Sequence, residues 1–495
     1  MAKAAIIGAG IGGIAASIRL AVKGYDVTVF EANESFGGKM HEFWLGNYRF
    51  DAGPSLFTLP HLVDELFTLA NRKPANYFTY TRLNPITHYF WPDGSKVKAW
   101  ADPEQFANEA EKQLGVPQQT VMQALNKSAR LYKGTADTFL HKSLHKLGTY
   151  LSADVLKSIQ CLPDLGLNTT MHEANKEFFA DDRFVQLLDR FATYNGSDPY
   201  QAPATLNIIP HLEHGIGAFY PKGGIYSIAA SLVKLAEELG VQFRYNEKAE
   251  QIIVDNGHVT GVQTIKANYN ADIVVSNMDV VPTYRYLLPN QPAPETVLQQ
   301  PRSSSALIFY WGIKKEFPEL HLHNIFFSGN YKTEFEHIFK HKTISPDPTV
   351  YVNITSKLEK QDAPAGSENW FVMVNVPHNQ GQNWQELTSV TRETVIRKLS
   401  KMLDTDLEQL IEHEQVLDPL TIESQTSSFA GALYGSSSNN RLAAFLRHPN
   451  FSSKLKGLYF CGGSVHPGGG IPLCLLSAKI VADLAPEPSH KQHSS

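Results

Sequence analysis

The first 39 residues contain the pattern that most restricts how this chain can fold. A short apolar run, Ala4–Ile7, leads directly into the glycine-rich segment Gly8–Gly13. A helical stretch and a second apolar run, Val27–Phe30, follow, and Glu31 ends that run. Strand, glycine turn, helix, strand and acid in this order predict a βαβ dinucleotide-binding unit. In such a unit the glycines let a pyrophosphate approach the backbone, and the acid binds the ribose.

The residues after Glu31 narrow the choice of dinucleotide. Glu31 begins an E-x5-GG-K sequence in which a glycine pair precedes Lys39, and the segment Asp51–Phe57 (D-A-G-P-S-L-F) follows. This arrangement resembles the FAD-dependent amine-oxidase-like superfamily, whose corresponding element ends in arginine. A lysine at that position still neutralises a phosphate, but it lacks the fork geometry of a guanidinium group.

The C-terminal region carries a second group of motifs. Gly457–Gly463 has the pattern of a strand running into a glycine turn, His466–Pro472 (H-P-G-G-G-I-P) follows, and Leu473–Ala485 has the pattern of a helix. Pro472 suits the first helical turn, where its missing N–H would have no intrahelical partner. Together these segments resemble the bacterial carotenoid desaturases of the phytoene-desaturase type. Two further segments share the resemblance, Tyr220–Gly224 (Y-P-K-G-G) and Asp272–Val280 (D-I-V-V-S-N-M-D-V).

The resemblance implies an α/β fold in which a discontinuous Rossmann-type FAD-binding domain joins a mixed α+β substrate domain with a helical, membrane-facing insertion. A length of 495 residues is too great for one core, which also favours two domains. The expected FAD-binding domain comprises residues 1–75, 215–290 and 455–486. The expected substrate-binding domain comprises residues 76–214 and 291–454, and residues 487–495 are expected to form a disordered tail.

FAD is the expected cofactor, bound non-covalently because no His or Cys lies in a recognisable attachment motif. Gly215–Gly217 and Gly431–Gly435 lack the strand, third glycine and acid of a second nucleotide-binding unit. A flavoprotein that used NAD(P)H would need such a unit, so oxygen or a membrane quinone is the expected electron acceptor. The expected cofactor-binding residues are Gly8, Ala9, Gly10, Ile11, Gly12, Gly13, Glu31, Ala32, Gly38, Lys39, Gly53, Pro54, Ser55, Leu56, Ala249, Asn277, Met278, Gly462, Gly463, Gly470, Ile471 and Pro472.

The chemistry implied by the resemblance, oxidation of a CH2–CH2 unit beside a polyene, needs few catalytic side chains. Such a C–H bond is very weakly acidic, so hydride loss from the allylic carbon is easier than proton loss. The resulting charge spreads along the conjugated chain, and positioning supplies much of the rate. The candidate catalytic residue is His466, inside the C-terminal signature. Other candidate bases are His211, Glu213, His214 and Asp279.

Three functions are compatible with the sequence. The first is a carotenoid desaturase, in which a late-stage 3,4-type desaturation is slightly preferred because Lys39 and Met278 depart from the commoner phytoene-type pattern; phytoene desaturation is a close second. The second is an amine oxidase or protoporphyrinogen-type oxidase of the same superfamily. The third is a non-catalytic prenyl-binding carrier of the Rab-escort type, although such a carrier need not keep every glycine or Glu31.

A helical region is expected from about residue 104 to 190. Within it, residues at three- and four-residue spacing predict one apolar face, formed by Leu140, Leu144, Leu147, Leu151 and Val155. Between Thr120 and Gln160 there are six Lys or Arg residues and two Asp residues. Two interpretations remain open. The cations could belong to the solvated side of a core-packed helix, or to a helix resting on an anionic membrane.

Composition restricts partners and location. A net charge of −5 without a basic cluster argues against nucleic acid. Three cysteines without metal-ligand spacing suit a reducing compartment. The sequence shows no signal-peptide pattern and no membrane-spanning stretch. We therefore expect a cytoplasmic protein, peripherally associated with the inner face of the membrane, that takes a carotenoid as its substrate; its oligomeric state stays open.

Overall fold

The computed structural model describes residues 1–150, 166, 168–440 and 447–488. A five-stranded parallel sheet, the nucleotide sheet, lies at its centre. Its strands come from distant parts of the chain, and Ser276 pairs with both Ile7 and Phe460. In spatial order the strands are Leu458–Phe460, Ile273–Ser276, Lys3–Ile7, Asp26–Phe30 and Gln242–Arg244.

Each face of the nucleotide sheet is covered, which explains why its strands are apolar on both sides. One face packs against three helices, Ile11–Lys23, Tyr226–Glu238 and Ile471–Leu484. The other face packs against a three-stranded antiparallel sheet. The first of these helices, which we call the fingerprint helix, ends at Gly24, whose φ of 101° is accessible to glycine. The strands of the antiparallel sheet are Ala249–Asp255, His258–Thr264 and Asn268–Asn270.

A second, seven-stranded mixed sheet, the large sheet, is built from residues that precede and follow the middle of the chain. One face packs Leu307, Phe309 and Trp311 against the helix Trp384–Met402. The hairpin Glu42–Leu45/Tyr48–Asp51 packs against the opposite face. In spatial order the strands are Ile411–Leu417, Ser305–Ile313, Glu368–Val376, Val350–Asn353, His323–Phe326, Thr87–Phe90 and Lys96–Ala99. A two-stranded pair, Tyr80–Arg82 with Phe219–Pro221, links the two halves.

Helices and short helical turns form a layer between the sheets and solvent, with their own apolar core. Pro103 lies in the first turn of its helix, and Asp102 caps that helix by accepting a hydrogen bond from the Gln105 N–H at 2.8 Å. The main helices of this layer are Pro103–Leu114, Gln118–Phe139, Met171–Phe178 and Asp182–Asp189. The helix His61–Leu69 packs instead in the core beside the nucleotide sheet. None of the helices within the described ranges is both long enough and apolar enough to span a bilayer.

The prediction of one continuous apolar helix face from Leu140 onwards is wrong. The helix Gln118–Phe139 ends just before Leu140, residues 140–146 form turns, and the short helix Leu147–Tyr150 follows. Leu144 is buried and lies in the wall of the cavity described below. Leu151 and Val155 lie outside the described residues, as does Cys161.

Hydrogen bonds around Ser143 explain why the helix does not continue. The Ser143 carbonyl accepts a hydrogen bond from Thr149 Oγ1 at 2.6 Å, and the Tyr150 hydroxyl donates to the Leu144 carbonyl at 2.8 Å. Side chains that bond nearby backbone in this way compete with the helical ladder. Of the predicted tail, residues 489–495 lie outside the described part, and the exposed Glu487 pairs with Lys23 at 3.1 Å.

Candidate active site

A continuous cavity of about 1100 Å³ separates the nucleotide sheet from the large sheet. This volume is at the upper end of the range for ligand pockets. Of the predicted cofactor-binding residues, all but Ala9 and Gly13 line it, and His466 lines it too. The cavity therefore brings together segments that are more than 400 residues apart in sequence.

The glycine turn is shaped by close backbone approach. A Cβ atom on Gly13 would lie 2.1 Å from the Gly8 carbonyl oxygen. A Cβ atom on Gly10 or Gly12 would lie 2.7 Å or 2.6 Å from the Asn277 side chain. No side chain caps the fingerprint helix, so its first-turn N–H groups remain available to a ligand in the cavity.

Glu31 is buried and belongs to the same structure. Its carboxylate accepts hydrogen bonds from the Ala9 N–H at 2.8 Å and from the Asn33 N–H at 2.9 Å. Asn33 also reaches across the cavity rim, where its side-chain amide donates to the Gln425 carbonyl at 3.2 Å. Glu31 thus fixes the glycine turn as well as offering its remaining lone pairs to the cavity.

The C-terminal motifs meet this turn from the opposite side. Gly462 has a φ of +98°, and its N–H donates to Ser477 Oγ at 2.8 Å. The helix Ile471–Leu484 begins after Gly470 without a side-chain cap, and Pro472 lies in its first turn, as expected. Two helix N-termini therefore open onto one cavity, and both favour negative charge.

Two cations lie in the cavity wall, the half-buried Lys39 and the buried Arg447. Lys39 Nζ donates to the Leu433 carbonyl at 2.9 Å, and burial lowers its pKa. Arg447 donates to the carbonyls of Tyr434 and Ser436, both at 2.8 Å, and burial lowers its pKa to about 10. A diphosphate would supply the negative charge that these cations lack. The glycine turn, the two helix ends and the cations together fit FAD.

His466 is 1% exposed and touches the cavity. Its Nε2 lies 2.9 Å from the Lys142 carbonyl, which requires Nε2 to carry the proton. Its Nδ1 has no hydrogen-bond partner among the described residues. Burial lowers the pKa of His466 to about 4, so the ring is neutral at pH 7 and Nδ1 can accept a proton.

The other candidate bases are less well placed. His211, Glu213 and His214 do not line the cavity. His214 stacks on the Phe106 ring at 4.4 Å, and burial lowers its pKa to about 3. Asp279 does line the cavity, but its carboxylate caps a helical turn by accepting from the Val281 N–H at 2.9 Å.

Sequence reasoning missed a buried network around Arg190, which we call the arginine network. Arg190 donates to the hydroxyls of Tyr89 at 2.7 Å and Tyr194 at 2.8 Å, and it pairs with Glu213 at 3.4 Å. The Tyr194 hydroxyl also donates to Glu213. Arg190 and Tyr194 line the cavity. Of its members only Glu213 is a candidate from the sequence, and it is a candidate base; the sequence pattern does not mark Arg190, Tyr89 or Tyr194 as its partners, because the network joins separate elements.

Comparisons with known proteins agree with this geometry. The family model described as flavin containing amine oxidoreductase matches residues 11–485. The chain belongs to this family. It is 54% identical over 486 residues to a protein of Flavobacterium sp. (strain P99-3) named 1-hydroxycarotenoid 3,4-desaturase, covering 98% of this chain and 99% of that one. A Methylomonas sp. protein named 4,4'-diapolycopene oxygenase is 35% identical over 487 residues, covering 97% of each chain.

The fold agrees with solved structures of the same kind. The crystal structure of an oxidoreductase from Methanosarcina mazei has a TM-score of 0.65 at 15% identity, covering 97% of this chain and 100% of that chain. Membership of the family confirms the expected α/β fold with a Rossmann-type FAD-binding unit. It also confirms that the chain is a flavin-dependent oxidoreductase with FAD as its cofactor. The resemblance to carotenoid desaturases is confirmed by the relatives' names.

Proposed function

We propose that this protein is an FAD-dependent carotenoid desaturase that forms the 3,4 double bond of an acyclic carotenoid with a hydroxyl group at C1. The observation that carries the proposal is the full-length identity of 54% to a 1-hydroxycarotenoid 3,4-desaturase. The preference for a late-stage substrate, drawn from Lys39 and Met278, points the same way. Desaturation of phytoene is the second candidate within the same chemistry.

The residues that line the cavity support a long apolar substrate. Beyond the cofactor segments, its walls contain many apolar side chains of the helical layer and of the large sheet, which would exclude water from the reacting carbons. Representative residues are Leu140, Leu144, Leu212, Ile308, Phe371 and Met373. When bound, FAD supplies a two-electron acceptor for hydride. The protein's part is to hold one CH2–CH2 unit in place, which is where most of the rate arises.

We further propose that the predicted cofactor-binding residues in the cavity wall contact FAD, and that the division into FAD-binding and substrate-binding domains follows the predicted boundaries. His466 is proposed to accept the proton that leaves the substrate after hydride transfer. Its Nδ1 is unpaired among the described residues and its ring is neutral at pH 7. Such a proton is strongly acidic, so a weak base suffices.

Membrane delivery of the substrate belongs to the same proposal. A carotenoid partitions into lipid, so we propose that the protein works at the cytoplasmic face of the membrane and passes electrons to a quinone or to oxygen. Arg130 and Lys133 are exposed on the helix Gln118–Phe139, where an anionic surface could attract them.

Product analysis tests the proposal. The purified flavoprotein is incubated with carotenoids in liposomes, and products are identified by loss of two hydrogens and a red-shifted polyene spectrum. A panel containing phytoene, a 1-hydroxylated acyclic carotenoid and primary amines separates the candidate functions. Turnover of amines alone would establish an amine oxidase. A protein that binds polyene but reduces no flavin would be a carrier.

A further inference from the structure

Three cavity-lining side chains form a chain of hydrogen bonds, which we call the histidine chain: Ser55, Tyr351 and His323. The Tyr351 hydroxyl lies 2.8 Å from Ser55 Oγ and 2.7 Å from His323 Nδ1. Asn353, behind the ring, also contacts Nδ1 at 3.1 Å. His323 itself is 2% exposed. The histidine chain is a line of polar side chains in the cavity wall, which also contains Arg190 and Tyr194 of the arginine network.

The hydrogen-bond partners fix the position of the imidazole ring. The Asn353 amide nitrogen donates to the Leu322 carbonyl at 3.0 Å, which sets the orientation of that amide. The Tyr351 hydroxyl donates to Ser55 Oγ, and its oxygen and the Asn353 amide both contact His323 Nδ1. Burial is the main reason why the pKa of His323 is lowered to about 3, and the ring is therefore neutral at pH 7.

The Nε2 atom of His323 is buried and has no hydrogen-bond partner among the described residues. An unpaired buried polar atom costs free energy, which a ligand recovers by completing the hydrogen bond. Because His323 lines the cavity, a ligand hydroxyl there could complete it. A hydroxyl both donates and accepts, so it suits either tautomer of a neutral imidazole.

The histidine chain begins within the cofactor segment, because Ser55 is itself one of the residues that we propose to contact FAD. In a C1-hydroxylated carotenoid the hydroxyl-bearing carbon is two bonds from C3, so a group that binds the hydroxyl must lie close to the reacting C3–C4 bond. A chain of polar groups that starts in the cofactor segment satisfies this requirement.

We propose that His323 is the specificity-determining residue of this enzyme: its Nε2 forms a hydrogen bond with the tertiary hydroxyl at C1 of the substrate. Tyr351 and Ser55 are positioning residues that hold the ring. This inference rests on the proposed function. A substrate without the hydroxyl would leave the buried Nε2 unpaired and would be rejected, as in other sites built to bind a substrate hydroxyl.

The test compares two acyclic carotenoids that differ only in carrying a hydroxyl or a hydrogen at C1, each supplied in the same detergent. For wild type we expect kcat/KM to favour the hydroxylated compound by more than about 10-fold, equivalent to about 1.4 kcal/mol. In His323→Leu this preference should fall to about 2-fold or less. His323→Gln keeps an N–H donor and should retain part of it, and Tyr351→Phe should raise KM more than it lowers kcat.

The matched control is His321→Leu, because His321 enters the same strand but does not line the cavity. It should leave the preference unchanged. Flavin content and Tm identify any variant that misfolds, and quenching of tryptophan fluorescence gives the Kd of each carotenoid independently of turnover. A correctly folded His323→Leu that still prefers the hydroxylated compound would overturn the assignment of His323. A wild type that dehydrogenates neither compound would instead overturn the proposed function.

Discussion

The glycine turn and the histidine chain are two binding surfaces of one cavity, built in different ways. The turn and its acid come from residues 8–31, and the constraints are local: a positive φ at Gly8, and carbonyl contact at Gly13. The histidine chain joins Ser55 to Tyr351 and His323, which meet only because the large sheet pairs residues 323–326 with residues 350–353.

This difference in construction corresponds to a difference in role, between a cofactor site common to a family and a substrate site that varies within it. A surface dictated by backbone geometry tolerates few substitutions and suits a common cofactor. A surface assembled from side chains on neighbouring strands can change with little effect on the backbone, and it suits a variable substrate. Mutations in the glycine turn should lower the affinity for FAD. Mutations in surfaces assembled from side chains should change the free energy of unfolding or the choice of substrate.

The largest expected effect lies in the arginine network, which, like the histidine chain, is assembled from residues far apart in sequence. Glu213→Gln leaves Arg190 buried without its carboxylate, and the two side chains are only 0% and 7% exposed. We expect the free energy of unfolding to fall by about 3–5 kcal/mol, measured by urea denaturation. The double variant Arg190→Met/Glu213→Leu should recover much of this loss, and the remaining folded protein should bind FAD normally. A loss of FAD affinity in the double variant would contradict the prediction that only the glycine turn controls FAD binding.

In the glycine turn, Gly13→Ala places a methyl group against the Gly8 backbone carbonyl, which is fixed in the turn. The fingerprint helix must shift from its strand, and we expect FAD affinity to drop by about 100-fold, in line with overpacking costs of 1–3 kcal/mol. The ratio of flavin to protein absorbance measures this. Gly148→Ala is the control, since its Cβ would meet nothing within 4 Å. Equal flavin content in both variants would contradict the prediction.

His466 lines the same cavity but belongs to neither of these two surfaces. We expect His466→Phe to lower kcat by about 100-fold with FAD still bound. In wild type the neutral ring is the active form, and its pKa is lowered to about 4, so kcat should stay level above about pH 6 and fall as the pH drops through about 4. His448→Gln, a buried histidine outside the cavity, serves as the control. A His466→Phe variant with wild-type kcat would remove this residue from the chemistry.

Glu31→Gln is a milder test of the glycine turn. The amide keeps the shape but loses a charge-assisted acceptor, which costs about 1.5–3 kcal/mol. FAD affinity, measured by fluorescence titration, should therefore decrease by an order of magnitude or more. Glu34→Gln, on the exposed side of the same segment, should have no effect. An unchanged affinity for Glu31→Gln would mean that the ribose binds elsewhere.

The smallest effect concerns the proposed membrane contact. Lys127 and Lys146 lie over the rings of Phe178 and Phe451 at 5.2 Å and 4.1 Å, so reversing them would also disturb packing. Reversal of Arg130 and Lys133 to Glu avoids this problem, because both side chains are exposed. At about 1 kcal/mol per cation, binding to anionic vesicles in flotation assays should weaken, and added salt should reduce the difference. Equal vesicle binding by the variant and wild type would leave these cations as a solvated helix face.

Sequence patterns predicted the nucleotide-binding part well because its determinants are local. The helix after Gly470, for example, starts where Pro472 indicated. The leucine pattern after Leu140 misled because periodicity ignores side-chain hydrogen bonds such as those of Ser143 with Thr149.

The arginine network and the histidine chain could not be found in the same way. Arg190 and Glu213, or Ser55 and His323, are separated by segments whose pairing is decided by tertiary packing. Single residues of these types are usually solvated or structural. Their significance appears only when burial and the missing partner of His323 Nε2 are known.

Asn277 packs between the first glycine turn and Gly462, with its side-chain oxygen 2.6 Å from where a Cβ of Gly12 would lie. The FAD-binding surface formed by the glycine turn, Asn277 and Gly462 is therefore complete only when the beginning, middle and end of the polypeptide have all folded together. A nascent chain on the ribosome cannot hold its flavin until the last strand, Leu458–Phe460, has emerged. Yellow colour in a preparation is thus a measure of completed synthesis, and a truncated product should be colourless.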